Sequence, residues 1–396
     1  MVRPAKTGDY HAPTGPAAPC NPDRIGPGVE SAAVFHRGGI WVGSAADGAA
    51  AETYDNTHYR KVKTMKALIN DPRDVVEEAL EGLCRANADI ITLHRDPLWV
   101  GRAQPRTSGV AVISGGGSGH EPLHTGLVGN GMLDAAVPGA VFTSPSPDAI
   151  LAAIAGTDTG DGVLCIVKNY TGDVLNFDMA RELAEADGHT VHSVLVADDV
   201  AVEDSTFTAG RRGVAGTLFV EKIAGAVAAS GGALEEVTAA AEEAAREVRS
   251  MALALGGCTV PHVGKPGFEL SADEVELGIG IHGEPGAARI AMASADELTD
   301  RLVSAIAQDL RLVAGEGVLV LVNGMGATPA YQLDIVFRRV AQQLDALDVR
   351  IERTLVGNYV TSLDMQGVSV TLVRATDAML AGWDAPVWTA ALRKGY

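Results

Sequence analysis

Three glycine-rich segments carry the side chains of this chain that could do chemistry: Ser114-Gly-Gly-Gly-Ser-Gly-His120-Glu-Pro, Lys168-Asn-Tyr-Thr-Gly-Asp173 and Gly278-Ile-Gly-Ile-His282-Gly-Glu-Pro-Gly286. In the first, successive glycines let backbone N–H groups come close to a ligand, and a helix N-terminus downstream would favour an anion or a polar oxygen. The segment ends in Gly119-His120 and lacks the Lys-Ser/Thr pair of a phosphate loop, which disfavours nucleotide binding there. His120 could hydrogen-bond a substrate hydroxyl or act as an acid or base near neutral pH. The plainer alternative is a histidine that caps its own loop.

In the second segment, an aspartate within reach of a hydroxyl can take its proton as that oxygen attacks phosphorus, while a lysine stabilises charge on substrate oxygens. Asp173 and Lys168 suit those roles, against the alternative of a helix cap and a solvated lysine. In the third, glycines on both sides of His282 remove steric cover and leave the ring accessible as a nucleophile or ligand. No Cys or His stands near it at metal-ligand spacing, so zinc is a poor reading and no metal is assigned.

The elements that must position these residues read as α/β. Asp71 as N-cap and Pro72 at the first helical position open a helix whose apolar face is Val75, Val76, Ala79, Leu80 and Leu83. Gly109–Ser114 is a short continuous apolar run, the pattern of a parallel strand buried on both faces, and similar runs recur at 162–167 and 192–197. Each is followed by a polar, glycine-containing loop and a helical pattern, for example Phe177–Ala186, which is βαβ alternation. The stretch Leu234–Leu255 reads as one long helix, and the glycines and prolines of 256–267 then break regularity. Beyond it, Val275–His282 and Gly317–Asn323 read as strands, separated by a helix over Ala295–Leu310. Open α/β sheets bind ligands beyond the C-terminal ends of their strands, where all three segments would lie. The expected organisation is therefore an N-terminal extension over 1–64, largely disordered, then two α/β domains at 65–250 and 251–396 with mostly buried sheets flanked by helices.

Composition narrows the function classes. The formal charge of −19 and pI near 4.9 oppose a polyphosphate backbone, so nucleic acid is excluded as a partner. Four scattered cysteines, Cys20, Cys84, Cys165 and Cys258, form no CxxC pair or disulfide framework, and Cys165 inside an apolar run reads as a small buried hydrophobe. No stretch approaches the roughly 20 apolar residues of a membrane span, and the N-terminus has no secretory pattern. The expectation is a cytoplasmic protein without a membrane partner. Six prolines crowd residues 1–64, and Met65, where folded-type sequence begins, is an alternative start.

Taken in order, these segments resemble the substrate-binding subunits of dihydroxyacetone (glycerone) kinases, from Met65 to about Leu392. The likeness includes Met65-Lys-Ala-Leu-Ile-Asn-Asp-Pro72, SGGGSGHEP, FTSPSPD (142–148), VKNYTGDVLNF (167–177) and TAGRRGVAGT (208–217). CTVPHVGKPGFEL (258–270), GIHGEPG (280–286), TSLDMQG (361–367) and WDAPV (383–387) complete it. The resemblance implies a phosphotransferase component of glycerol metabolism with an alcohol group as acceptor. The keto-sugar would be held through a hemiaminal between its ketone carbon and a nitrogen of His282. Gly117, His120, Lys168 and Asp173 would contact the substrate, Asp173 activating the attacking hydroxyl, His120 orienting it and Lys168 binding a substrate oxygen.

The family occurs with its nucleotide domain on the same chain or on a separate protein. Tyr396 comes too early for that domain, so the expectation is a separate nucleotide-binding subunit that brings ATP or ADP with Mg²⁺, no cofactor on this chain, and a homodimer. Three features depart from the family pattern: the N-terminal extension, Gly267 where Ser or Thr is usual, and a short connection from Gly286 to the strand at 317. Pocket shape would decide between dihydroxyacetone and a four-carbon keto-sugar such as erythrulose. A non-catalytic dihydroxyacetone-sensing regulator is the competing class, although a sensor has no need of a base at Asp173. A nucleotide-binding oxidoreductase would require GxGxxG and a later acidic residue, which the first segment does not supply.

Overall fold

The computed structural model describes residues 66–202 and 209–395, all within one compact unit that runs from Arg60 to Tyr396. The extension expected over 1–64, with Cys20, lies outside the described residues. The N-terminal half builds a six-stranded sheet from β1 (Ile91–Arg95), β2 (Leu98–Arg102), β3 (Ala111–Ser118), β5 (Ala135–Val141), β6 (Val163–Lys168) and β7 (Val191–Val196), in the order β1-β2-β5-β3-β6-β7. Strands β5, β3, β6 and β7 run parallel, and the hairpin β1–β2 adds antiparallel at one edge. Helices α2 (Pro147–Thr157) and α3 (Thr171–Ala186) cover one face, where Ile113, Cys165 and Val167 meet Ile150, Ile154 and Phe177. The alternate residues Val112, Leu164 and Ile166 face the other way, toward α4 (Thr217–Ala229) and α5 (Leu234–Glu247). A strand buried on both faces needs no polar alternation, which is why these runs are continuously apolar.

A second six-stranded sheet has the order β10-β9-β8-β13-β11-β12 and is formed by β8 (Val248–Ala254), β9 (Glu274–Leu277), β10 (Ala288–Ala291), β11 (Gly317–Gly324), β12 (Arg350–Gly357) and β13 (Gly367–Arg374). Only the β11–β12 pair in it is parallel. Helices α6 (Ala295–Leu310) and α7 (Ala330–Ala346) pack on one face through Leu302, Ile306, Val336 and Val340. Its other face contributes Leu319, Leu321 and Val373 to the same apolar cluster as α4 and α5, so those helices lie between the sheets. The chain then returns through α8 (Asp377–Asp384) to β14 (Val387–Thr389), which pairs with β15 (Arg393–Lys394) and with the short β4 (Gly129–Asn130). No helix among the described residues is long and apolar enough to cross a membrane.

Several local expectations need correction. Asp71 is not the cap of the first helix, α1 (Val75–Ala86); its carboxylate accepts from the Arg73 N–H at 2.9 Å, a local turn that lets the chain enter the helix later. The single helix expected over Leu234–Leu255 ends at Glu247, because Val248–Ala254 is claimed by pairing with β13 on one side and β9 on the other. The strand expected to run from Val275 to His282 stops at Leu277, and Gly278 turns the chain with φ +74°. The glycines after Ser114 continue strand β3: Gly115, Gly116 and Gly117 pair with Val137, Pro138 and Gly139. Beyond them the chain makes a 3₁₀ turn at Thr125–Leu127, so the helix N-terminus expected downstream is not there.

Candidate functional site

The site forms where β3, β5 and β6 end side by side. Strand β6 delivers Lys168 as its last residue, and α3 starts three residues later. Tyr170 stands at the N-cap position of α3 without a side-chain cap bond, and Asp173 lies in the first turn. Asp173 is therefore not the helix cap. Its Oδ2 lies 3.9 Å from the Lys168 Nζ, and both side chains are buried. Burial raises the Asp173 carboxyl above the usual range, opposed by Lys168 and by the Ser144 hydroxyl that hydrogen-bonds it. Lys168 is fully enclosed and donates to the Gly115 carbonyl at 3.1 Å. A side chain at Gly116 would overlap the Lys168 ammonium, which explains a glycine inside a buried strand.

His120 follows the β3 glycines and is completely buried, its Nδ1 2.8 Å from the Thr361 carbonyl oxygen. Burial first, and then the neighbouring His282 ring and the Lys168 ammonium, which disfavour a second positive charge beside them, hold its pKa well below the ordinary value. The 361–363 stretch of the TSLDMQG motif grips this turn from the second sheet: Thr361 and Leu363 donate backbone N–H bonds to the carbonyls of His120 and Gly119. Sequence reasoning assigned the motif no such task.

His282 reaches the same place on the loop after β9. Its half-buried ring is surrounded by His120 at 4.8 Å, Phe142 at 5.3 Å and Tyr170 at 4.5 Å between ring centroids, all edge-on. Burial lowers its pKa to about 3, helped by the Lys168 and Arg212 charges, so the ring is neutral at physiological pH. A clamp holds the loop. Arg212, fully buried, donates through Nε to Asp199 at 2.7 Å, through its amino groups to Glu284 at 3.3 Å, and to the Gly278 carbonyl at 2.8 Å. The other oxygen of Glu284 accepts the His282 backbone N–H at 2.9 Å. A Cβ at Gly280 would collide with Glu284, so the loop closes on its clamp only with glycine there.

The structure thus brings His120, Lys168, Asp173 and His282 together, with Gly117 packed against the Phe142–Thr143 backbone beside them. It adds residues not singled out from sequence: Phe142 and Ser144 of the FTSPSPD motif, Tyr170, Arg212, Glu284, and a buried pair, His124 and Glu221. Buried polar side-chain atoms without a partner are rare in folded proteins. Among the described residues there are six; His120 Nε2, Tyr170 OH and Asp173 Oδ1 lie at the site, and Glu221 Oε2 lies behind it. Three such atoms in one place leave hydrogen-bonding capacity there that small polar groups could complete. Cys165 is buried and its thiol is pushed up to about 12 by burial, an inert core residue. Among the described residues no group of three or more His, Cys, Asp or Glu could hold a metal ion.

Comparison with known proteins places the chain in a family. The Dak1 domain family matches residues 81–391. The chain is 51% identical over 313 residues to the PTS-dependent dihydroxyacetone kinase 1, dihydroxyacetone-binding subunit, of Listeria innocua, covering 79% of this chain and 95% of that protein. Among solved structures, the dihydroxyacetone kinase of C. freundii matches with a TM-score of 0.78 and 35% identity, over 84% of this chain and 61% of that longer one. A dihydroxyacetone kinase operon co-activator matches with a TM-score of 0.77 and 34% identity, over 81% of this chain and 99% of its own length. Kinases of this kind are phosphotransferases with an alcohol group as acceptor. The chain belongs to the Dak1 domain family, among the dihydroxyacetone-binding subunits of dihydroxyacetone kinases.

Proposed function

We propose that this chain captures dihydroxyacetone covalently on His282 and presents one of its hydroxyls for phosphorylation by a separate nucleotide-carrying subunit. One observation carries the reading: a half-buried histidine flanked edge-on by His120, Phe142 and Tyr170 stands beside a cluster in which His120 Nε2 and Asp173 Oδ1 have no protein partner. A ring nitrogen of His282 adds to the ketone carbon, the carbonyl π bond opens, and the new alkoxide takes up the proton that the ring's other nitrogen releases. The adduct is a neutral hemiaminal. Asp173 takes the proton of the hydroxyl that attacks phosphorus, His120 Nε2 accepts a hydrogen bond from the sugar, and Lys168 stabilises charge on its oxygen.

Covalent capture suits a small ligand. Noncovalent binding of so few heavy atoms is limited to about 1.5 kcal/mol per atom at best, whereas a bond to carbonyl carbon excludes glycerol outright. The names of the near full-length relatives, dihydroxyacetone-binding subunits of PTS-dependent kinases, support a separate partner subunit, which in this reading brings ATP or ADP with Mg²⁺. The same reading carries a cytoplasmic homodimer. The decisive experiment is a coupled assay with dihydroxyacetone, glyceraldehyde and both erythruloses, with the nucleotide-carrying subunit supplied. Phosphorylated dihydroxyacetone only in the presence of that subunit is expected. Equal turnover without it overturns the subunit reading, and preference for an erythrulose reassigns the substrate.

The likeness to an operon co-activator favours one competing reading, a sensor that captures the sugar without turnover. Capture without phosphorylated product, with an active partner present, would select it.

A further inference from the structure

Behind Lys168 lies a line of buried ionisable groups that the phosphoryl transfer does not use. The Lys168 Nζ is 2.6 Å from His124 Nε2, and His124 Nδ1 is 2.5 Å from Glu221 Oε1. All three side chains are buried, His124 in the turn beyond the β3 glycines and Glu221 within α4. An apolar trio of similar volume would be at least as stable as a buried charged one, so stability alone does not account for it.

The hydrogen bonds define a direction. Ser114 Oγ spends its proton on the Ile166 carbonyl at 2.7 Å, and Nδ1 of His124 lies 3.1 Å from that oxygen, which is left to accept. With the Ser114 oxygen and the Glu221 carboxylate both facing Nδ1, the resting ring carries its proton there and offers the Nε2 lone pair to Lys168. The groups facing Lys168 are then the Gly115 carbonyl from β3, Asp173 from α3, His124, Glu221 from α4, and the neutral rings of His120 and His282.

We propose that Lys168, His124 and Glu221 form a proton relay that neutralises the Lys168 ammonium after phosphoryl transfer, while Asp173 still holds the proton of the substrate's hydroxyl. The inference rests on the phosphoryl-transfer reading of the site. While Asp173 is ionised, its carboxylate balances Lys168 at 3.9 Å. Once it is protonated, a buried ammonium and the Glu221 carboxylate face each other across an imidazole, with no nearer countercharge among the described residues. One Nζ–H of Lys168 then passes to His124 Nε2 as the Nδ1–H passes to Glu221 Oε1. Two N–H bonds break, one N–H and one O–H bond form, and the total charge is unchanged. Burial lowers the proton affinity of Lys168 and raises that of the Glu221 carboxyl to about 8, which brings donor and acceptor closer and sets the relay's working range near and above that pH, where Glu221 is ionised at rest. Loss of the Asp173 proton after product release runs the relay backward. His124 and Glu221 act through Lys168 and are positioning residues.

Two measurements test this on the full chain. In ¹⁵N-histidine NMR spectra, with His124→Asn identifying the signal, wild type should show the Nδ1–H tautomer of His124. Asp173→Asn, whose amide has the charge of a protonated aspartate, should show the Nε2–H tautomer. The same tautomer in both proteins overturns the relay. The second variant is Glu221→Gln, whose carbonyl oxygen still accepts from Nδ1 but cannot take its proton. It should keep the His282 adduct in full, lose about tenfold in kcat with the partner subunit, less than the 10²–10⁴ of a base that touches substrate, and change its pH–kcat profile. Unchanged kcat, or loss of the adduct, overturns the proposal. If wild type itself forms no adduct or phosphorylated product, the proposed function falls while the tautomer comparison still reports on the relay.

Discussion

His120 Nδ1 and the Thr361 carbonyl oxygen lie 2.8 Å apart, although 241 residues separate them in the chain. A carbonyl can only accept, so this contact places the ring proton on Nδ1 and leaves Nε2 as a lone pair pointing into the site. A backbone atom of the second sheet therefore decides what His120 can do for a ligand held at the first.

His120→Asn tests that relationship. The asparagine amide can still donate to Thr361, so the fold and the keto-sugar adduct should persist, while loss of the Nε2 acceptor should lower kcat by about 10²-fold. Turnover within threefold of wild type, measured with the partner subunit, would reduce His120 to a structural cap.

Asp173→Asn keeps the size and the Ser144 contact but cannot accept a hydroxyl proton. Keto-sugar binding should remain, and kcat should fall by about 10²- to 10⁴-fold. A binding defect with normal turnover would contradict the assignment.

The His282 adduct should be visible as one added substrate mass in native mass spectra, absent from His282→Ala and absent with glycerol. An unperturbed histidine would lose nucleophilicity as pH falls through about 6.5. Burial instead lowers His282 to about 3, so the unprotonated ring, and with it the adduct, should persist at pH 5 and fail only as pH approaches that lower value. An adduct that titrates away with a midpoint near 6.5 would show that the aromatic rings do not enclose His282.

Arg212→Met removes the one cation between Asp199 and Glu284 and strands both carboxylates in the interior. Breaking a buried pair this way costs about 3–5 kcal/mol. Denaturant unfolding should register that loss, and the released loop should weaken the His282 adduct. A change under about 1 kcal/mol would show the clamp to be incidental.

Much of this site was legible from local pattern. A histidine between glycines at 282, a Lys and an Asp after the buried run at 163–167, and a glycine segment ending in His120 are visible as residue types at fixed spacing, and the helix over Ala295–Leu310 appears where its apolar period placed it. Pattern failed where pairing competes with propensity. The Ala- and Glu-rich run after Leu234 reads as helix throughout, yet Val248–Ala254 is drawn into the sheet by hydrogen bonds to partners more than a hundred residues away.

What the sequence determined by itself is the inventory: which ionisable groups exist, which have glycine beside them, and which strands are apolar enough to be buried on both faces. Only the tertiary structure decided that His120 meets Thr361, that Arg212 clamps the loop of His282, and that Glu221 stands behind His124, 97 residues away. Those contacts, and the burial that leaves His282 neutral and lifts Glu221, arise when separate segments exclude water together. Desolvation depends on the neighbours that surround a group in space, and one-dimensional spacing does not contain them.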